Sequence, residues 1–110
     1  MRWIEIAQRN EVNVEGTVRT APIITSVIKK EIPYVEYSVD DQKLRLHYPF
    51  KVNDVVRVDF SKQKVFINEQ LQMETIDLVY ADFFRLKPGL NEISTVPAMQ
   101  LEVKYTERWL

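Results

Sequence analysis

The sequence predicts an all-β fold, an antiparallel β-sandwich or barrel with at most one short helix. Over most of the 110 residues, apolar and polar side chains alternate with a period of two, as they do along a strand with one wet face. The five prolines lie at or near the breaks in this pattern, where a missing backbone donor costs least. About eight short strands at this spacing are typical of a sandwich or a barrel.

The most regular strands lie in the middle and at the end of the chain. Residues 42–50 alternate between an apolar face and a charged face, and residues 54–60 repeat the pattern. A polar break at 61–63, before another strand at 64–68, indicates a hairpin loop. Residues 99–106 have the cleanest alternation. Their inward-facing positions are Met99, Leu101, Val103 and Tyr105.

Weaker strands complete the predicted domain. They are expected at residues 12–19, 23–32, 34–39, 72–78 and 92–96. Asp40 and Asp41 are interpreted as a hairpin turn, because aspartate favours turns. Residues 76–84 could hold one helical turn. Residues 1–13 are interpreted as a linker or an edge strand, and residues 14–110 as the β-sandwich domain.

Composition and charge argue against two classes of partner. Fifteen basic and sixteen acidic side chains give a net charge of −1, whereas nucleic-acid binders usually carry a basic surplus. No apolar stretch approaches the length of about 20 residues that a membrane-spanning helix needs. Glu5 comes too early for the apolar part of a secretion signal. We therefore expect neither nucleic acid nor a membrane as a partner.

The sequence offers little for catalysis or metal binding. It has no cysteine and one histidine, His47, which lies on the polar face of a predicted strand. A catalytic triad needs its histidine in a pocket with an oriented partner, and zinc sites draw mainly on Cys and His. The two glycines, Gly16 and Gly89, form no glycine-rich phosphate loop. We predict no catalytic residue, no cofactor and no metal site.

A distinctive run lies at residues 81–93, Ala-Asp-Phe-Phe-Arg-Leu-Lys-Pro-Gly-Leu-Asn-Glu-Ile. It resembles a stretch of the siphophage tail-component family, which includes the distal tail proteins. There an aspartate and two aromatics precede a leucine, Pro-Gly, an asparagine and an isoleucine. The closing residues 103–110 resemble the family's terminal strand, and the hairpin at 58–68 also matches. The residues that carry the resemblance are Asp82, Phe83, Phe84, Leu86, Pro88, Gly89, Asn91, Tyr105, Arg108 and Trp109.

The same residues predict a role in folding. Pro88 and Gly89 suit a turn after an apolar cluster, and the Asn91 side chain can satisfy a free backbone group where the next strand begins. The resemblance covers roughly residues 14–110. One departure is Glu69, which follows Asn68 where the family often places glycine.

The resemblance implies a galectin-like, two-sheet antiparallel β-sandwich of jelly-roll type. It also implies a structural part of the virion, at the tail tip or baseplate, assembled in the host cytoplasm. In the family an N-terminal domain forms a hexameric ring, so this chain looks like the C-terminal domain of a longer protein. On this interpretation it projects from the ring and docks receptor-binding or adhesion parts. Its partners would be other tail or baseplate proteins, and the isolated domain would be mainly monomeric.

Two alternatives remain from other functional classes. A carbohydrate-binding module would share the fold and add a groove for glycan, with a concave face of stacked aromatics. A small hydrolase would instead show a clustered carboxylate pair in a cleft. The galectin sugar site combines His, Asn, Arg, Trp and Glu on one sheet, and the Arg and Trp spacing it requires is missing here. The resemblance therefore implies at most a weak glycan contact, and no enzyme.

Overall fold

The computed structural model of the chain describes the backbone of residues 2–6 and, in full, residues 11–106. Short strands dominate this part of the chain, and a 3₁₀ helix, Met73–Thr75, interrupts them once. The strands are β1 (Arg2–Ile6), β2 (Glu11–Val14), β3 (Ile23–Val27), β4 (Ile32–Val39), β5 (Gln42–Phe50), β6 (Val55–Asp59), β7 (Lys64–Ile67), β8 (Gln70–Leu71), β9 (Ile76–Ala81), β10 (Gly89–Val96) and β11 (Leu101–Tyr105).

The strands form two antiparallel sheets. One sheet has six strands in the order β1-β11-β3-β6-β7-β8, and the other has five in the order β2-β10-β4-β5-β9. Every paired strand runs antiparallel to its neighbour. The prediction of an all-β, two-sheet sandwich with at most one short helix is therefore confirmed. The predicted Asp40-Asp41 turn joins β4 to β5, with Val39 paired to Gln42.

The apolar side chains of both sheets meet in a single core. The alternation seen in the sequence places Leu44 and Leu46 of β5, and Leu101, Val103 and Tyr105 of β11, among the buried residues. Fully burying one such side chain stabilises a fold by roughly 1.5–3 kcal/mol, so the core supplies most of the driving force. The largest fully buried side chains include Tyr37, Phe50, Phe84 and Tyr105.

One polar bridge crosses the core between the sheets. The hydroxyls of Ser26 on β3 and Tyr37 on β4 share a hydrogen bond of 2.7 Å. Both residues are buried, and an unpaired hydroxyl there would cost free energy. Burial raises the pKa of Tyr37 to about 12, and the hydrogen bond from Ser26 opposes part of that rise. The phenol therefore stays neutral throughout the ordinary pH range.

The prediction for residues 72–84 was wrong in detail. A strand was expected at 72–78 and a helical turn within 76–84, but the 3₁₀ helix comes first and β9 follows it. The physical reason is a sheet change, because β8 belongs to the six-stranded sheet and β9 to the five-stranded one. The chain turns tightly at this crossing. Thr75 Oγ1 donates a hydrogen bond of 2.7 Å to the Gln72 carbonyl oxygen and stabilises the turn.

Other strand boundaries also differ from the prediction. β2 ends at Val14 and β3 at Val27, so both are shorter than expected, while β10 begins at Gly89 and is longer. Residues 15–22 leave the five-stranded sheet and cross to the other one. Their one isolated bridge joins Thr20 to Leu86, through hydrogen bonds of 2.9 and 2.7 Å.

Truncating Phe84 to alanine tests the core assignment. The side chain is buried, so Phe84→Ala should lower the free energy of unfolding by about 3–5 kcal/mol through lost burial and a new cavity. Leu90→Ala is the control, because Leu90 is exposed and its loss should cost less than about 0.5 kcal/mol. Denaturant titrations of both variants measure the difference. Equal unfolding midpoints would show that Phe84 is misplaced.

Candidate docking surface

The distinctive run at residues 81–93 begins with a clamp on the β4–β5 hairpin. The Asp82 amide donates a hydrogen bond of 2.9 Å to the Lys43 carbonyl oxygen. The Lys43 amide in turn donates one of 3.1 Å to Asp82 Oδ2. Asp82 thus satisfies both backbone groups of one β5 residue that lies just beyond the last pairing of β5 with β9.

The two aromatics of the run join the sheets through Phe60. The Phe84 ring centroid lies 4.3 Å from that of Phe60, and the half-buried Phe83 meets Phe60 edge-on at 5.9 Å. Leu86 is buried, and its backbone pairs with that of Thr20. Between β9 and β10 the chain crosses one end of the sandwich, and these contacts cover that end. The predicted apolar cluster is therefore present.

Gly89 and Asn91 build the turn that starts β10. Gly89 has a φ of +90°, a conformation that L side chains rarely adopt. The Asn91 Oδ1 atom accepts a hydrogen bond of 3.0 Å from the Lys87 amide. The Asn91 Nδ2 atom donates to the carbonyl oxygens of Lys87 at 2.8 Å and Gly89 at 3.1 Å. This buried side chain therefore replaces the backbone partners that the turn lacks.

The remaining residues of the resemblance lie near the chain's end. Tyr105 is buried, and its hydroxyl donates a hydrogen bond of 3.3 Å to the Asn13 carbonyl oxygen. Pro88 is exposed at the turn before Gly89. Arg108 and Trp109 lie outside the described residues. Most of the described residues of the resemblance thus make contacts within the fold, and a surface for contact with a partner is better sought elsewhere.

The outer face of the five-stranded sheet carries an ordered group of aromatic and charged side chains. Arg45 lies at the centre of this group. Its side chain faces outward because Leu44 and Leu46, on either side of it along β5, face the core. Its guanidinium carbon lies 5.2 Å from the ring centroid of Tyr34 and 4.6 Å from that of Tyr80. We call this group, which consists of Tyr34, Glu36, Arg45, His47 and Tyr80, the arginine face.

Hydrogen bonds hold Arg45 in place on the arginine face. Its Nη2 and Nε atoms donate to Glu36 Oε1 at 2.7 and 3.1 Å. These bonds hold the pKa of Arg45 above its usual value, with burial opposing the rise. Glu36 is buried, so its carboxylate requires such a partner. The arginine and its neighbours are thereby ordered before any partner binds.

Beside the arginine face, the edge strand β9 carries a large bulge. Leu46 pairs with Ile76 and Leu44 with Ala81, so four residues of β9 stand opposite a single residue of β5. At the bulge, Asp77 Oδ1 accepts hydrogen bonds of 2.7 Å from the Val79 amide and 2.9 Å from the Tyr80 amide. The other carboxylate oxygen of Asp77 lies 2.6 Å from His47 Nε2.

The bulge presents two apolar side chains to solvent. Leu78 is 99% exposed and Val79 is 78% exposed. We call these two residues the β9 tip. The three contacts of Asp77 lower the pKa of its carboxyl to about 2, chiefly through the Tyr80 amide, then through His47 and the Val79 amide. An ionised Asp77 therefore holds the tip in one conformation at neutral pH.

Sequence reasoning placed His47 correctly but missed the β9 tip. His47 was expected on the polar face of a strand, and it is half-exposed there. The tip was assigned to a regular strand and a helical turn. A signal was present in the sequence: Leu78 and Val79 are adjacent apolar residues after Asp77, which breaks a period of two and places an Asx-turn residue at the break.

The titratable side chains of the described residues bear on metal binding and on triad chemistry. Within residues 11–106, whose side chains the structure describes, no group of three or more His, Asp or Glu side chains is placed to hold a metal ion. The His47–Asp77 pair lies on an open sheet face, where the triad geometry would require a pocket. In the same part of the chain, no helix has the length and apolar character needed to cross a membrane.

The fold and its surface define a structural β-sandwich with an ordered aromatic and charged outer face. The chain belongs to the siphovirus-type tail component family, as its C-terminal domain, and the family's sequence model matches residues 15–109. No curated protein sequence matches the chain. Among solved structures it is similar to the SPP1 Dit protein, described as a paradigm of the hub adsorption apparatus in phages that infect Gram-positive bacteria.

The likeness to SPP1 Dit concerns the fold. The TM-score is 0.81 over 96% of this chain, at 18% sequence identity. The chain spans 45% of the SPP1 Dit chain, so it corresponds to part of that protein. The resemblance inferred from residues 81–93 and 103–110 is therefore confirmed at the level of the family. The chain is a tail-component domain of a siphovirus-type virion.

Lowering the pH should release the β9 tip. The folded pKa of Asp77 is about 2, below its usual 3.8, so its contribution to stability is present above about pH 4 and is lost as the pH falls towards 2. Asp77→Asn removes this contribution. The difference in unfolding free energy between parent and variant should shrink across that window, as measured by denaturant titration. A difference that stays constant down to about pH 2 would contradict the assignment.

Proposed function

We propose that the chain is the C-terminal domain of a distal tail or baseplate component that docks receptor-binding or adhesion parts of the virion. The family assignment supports a structural role in the tail. We also propose that it is not an enzyme. The observation that carries the docking role is the arginine face, an ordered group of side chains on an otherwise open sheet.

The arginine face has the chemistry of a protein contact. Tyrosine and arginine are enriched at the centres of protein interfaces, where each residue adds contact area and directed hydrogen bonds. Here Arg45 is already stacked between Tyr34 and Tyr80 and bonded to Glu36. The entropy cost of ordering these side chains when a partner binds this face would therefore be small.

A carbohydrate site has less support on the same face. Sugar recognition uses exposed aromatic ring faces, but the Tyr34 and Tyr80 rings are both turned to the Arg45 guanidinium. We therefore propose a protein as the main partner and treat glycan contact as weak. A glycan array probed with the chain separates the two. Selective binding to one glycan class, lost together with the arginine face, would favour the carbohydrate-binding module.

A matched pair of double variants tests the docking role. The six-stranded sheet has a similar arrangement, in which Arg57 lies 4.1 Å from the Phe66 ring and bonds to Glu69. Glu36→Gln with Arg45→Gln neutralises the arginine face while keeping polar groups at both positions. Glu69→Gln with Arg57→Gln is the control on the other sheet.

The two double variants should differ in their affinity for the other tail-tip proteins of the same phage. We expect an affinity loss of at least about tenfold for the arginine-face variant, roughly 1.4 kcal/mol, and little change for the control. Surface plasmon resonance measures both, and circular dichroism checks that both fold. If the two variants bind as the parent does, or lose affinity equally, the arginine face is not the docking site.

The isolated chain should be a monomer at micromolar concentration. Outward strand positions such as Lys43, Arg57, Glu92 and Glu102 carry mixed charges, which favours a soluble chain over a large apolar interface. A docking module presented in several copies needs little affinity per copy. Light scattering should report a mass near 13.1 kDa. A stable hexamer formed by this chain alone would contradict the proposal that another domain makes the ring.

A further inference from the structure

Exposed apolar side chains are concentrated in one short segment. Among the described residues, nine large apolar side chains are exposed, and five of them lie between residues 71 and 80. They are Leu71, Met73, Leu78, Val79 and Tyr80. This segment crosses from one sheet to the other along the side of the sandwich. A concentration of this kind usually marks a contact surface.

Hydrogen bonds hold the turn that carries the β9 tip, and the segment around the tip is rich in carboxylates. Asp77 receives two backbone hydrogen bonds and the His47 contact, which order the turn that carries Leu78 and Val79. Residues 74–82 contain Glu74, Asp77 and Asp82 and no lysine or arginine. On the neighbouring β5, Lys43 and Arg45 lie over the Tyr80 ring, but Arg45 is paired with Glu36, so carboxylates still outnumber cations around the tip. A partner for the tip should therefore have an apolar recess with a basic rim.

Another part of the same chain has this chemistry. A recess lies between the loop after β3 and the loop after β10, with a volume of about 260 Å³. Ligand pockets usually have roughly 300–1,000 Å³, so this recess suits a side chain better than a small molecule. Lys29 and Lys30 also line it. We call it the socket; its apolar lining is Ile28, Ile32, Pro97, Ala98 and Met99.

We propose that the β9 tip of one copy of this domain seats in the socket of a second copy. The apolar tip would fill the apolar lining, and Lys29 and Lys30 would face Glu74 and Asp82. Because tip and socket are different surfaces, the contact is heterologous, and each copy can bind one neighbour on each side. Such a contact closes into a ring when the rotation between copies allows it.

The contact between tip and socket should be weak, because both surfaces are small. Two side chains and a few charges at the surface bury little area, so the free chain remains monomeric at micromolar concentration. Copies held side by side in one assembly have effective concentrations in the millimolar range, where such a contact forms. The tip–socket contact involves neither Glu36 nor Arg45, the two residues changed to test the arginine face. Each role can therefore fail without the other.

Three single variants test the contact in the full chain. Leu78→Asp removes the tip, and Ala98→Asp places an acid in the socket opposite the acidic segment. Leu90→Asp is the control, because Leu90 is also an exposed leucine but lies on β10, away from both surfaces. Leu78 and Ala98 are both exposed, so each variant should keep its fold. Circular dichroism and melting curves check this.

Sedimentation equilibrium from micromolar to about 1 mM measures association, since a contact formed at millimolar effective concentration must appear there. The parent and Leu90→Asp should associate. Leu78→Asp and Ala98→Asp, each measured by itself, should associate at least about tenfold more weakly. A mixture of the last two should form a 1:1 complex, because one supplies an intact socket and the other an intact tip.

Each other result overturns the proposal. A parent chain that stays monomeric at about 1 mM would show that the contact is too weak to form between neighbours. Association that survives Leu78→Asp or Ala98→Asp would place it on another surface. Loss of association in both variants without recovery on mixing would show that the contact is not tip in socket.

Discussion

The burial of two sheet faces against each other is the constraint on which this structure depends. Successive strand side chains point to opposite faces, so a shared core admits only every second residue. Leu44 and Leu46 on β5 meet Leu101, Val103 and Tyr105 of β11 inside the sandwich. Arg45, between the two leucines, must then face outward. The ordered outer face is thus a direct consequence of the core's register.

The run at residues 81–93 has a structural role that follows from the same constraint. A chain that leaves one strand must find partners for its backbone groups before it joins the next strand. Asp82 supplies them for Lys43, and Asn91 supplies them for Lys87 and Gly89. This explains why such polar residues stand beside Phe84 and Leu86. The fold of SPP1 Dit is shared at only 18% identity. A core accepts many different side chains that keep its volume and its apolar pattern.

A tail structure works through repeated copies, and the surface of this domain suits that use. The arginine face, where Tyr34 and Tyr80 pack on Arg45, is the surface we propose for a different protein. The β9 tip and the socket are the surfaces we propose for a second copy. Weak contacts of both kinds gain strength when several copies are presented together. Most core residues take no part in either surface, although Ile28 belongs both to the core and to the lining of the socket.

The sequence alone determined the fold class, the β5 and β11 faces, the Asp40-Asp41 turn and the family. These depend on local alternation and on turn chemistry, which are readable within a few residues. Only the tertiary structure decided that Asp77 meets His47, that Arg45 lies between Tyr34 and Tyr80, and that Leu78 stands free. Each of these depends on the pairing of β5 with β9, strands about thirty residues apart at the His47–Asp77 contact. A bulge changes that pairing without leaving a regular period in the sequence, because the extra residues have no partner to alternate against.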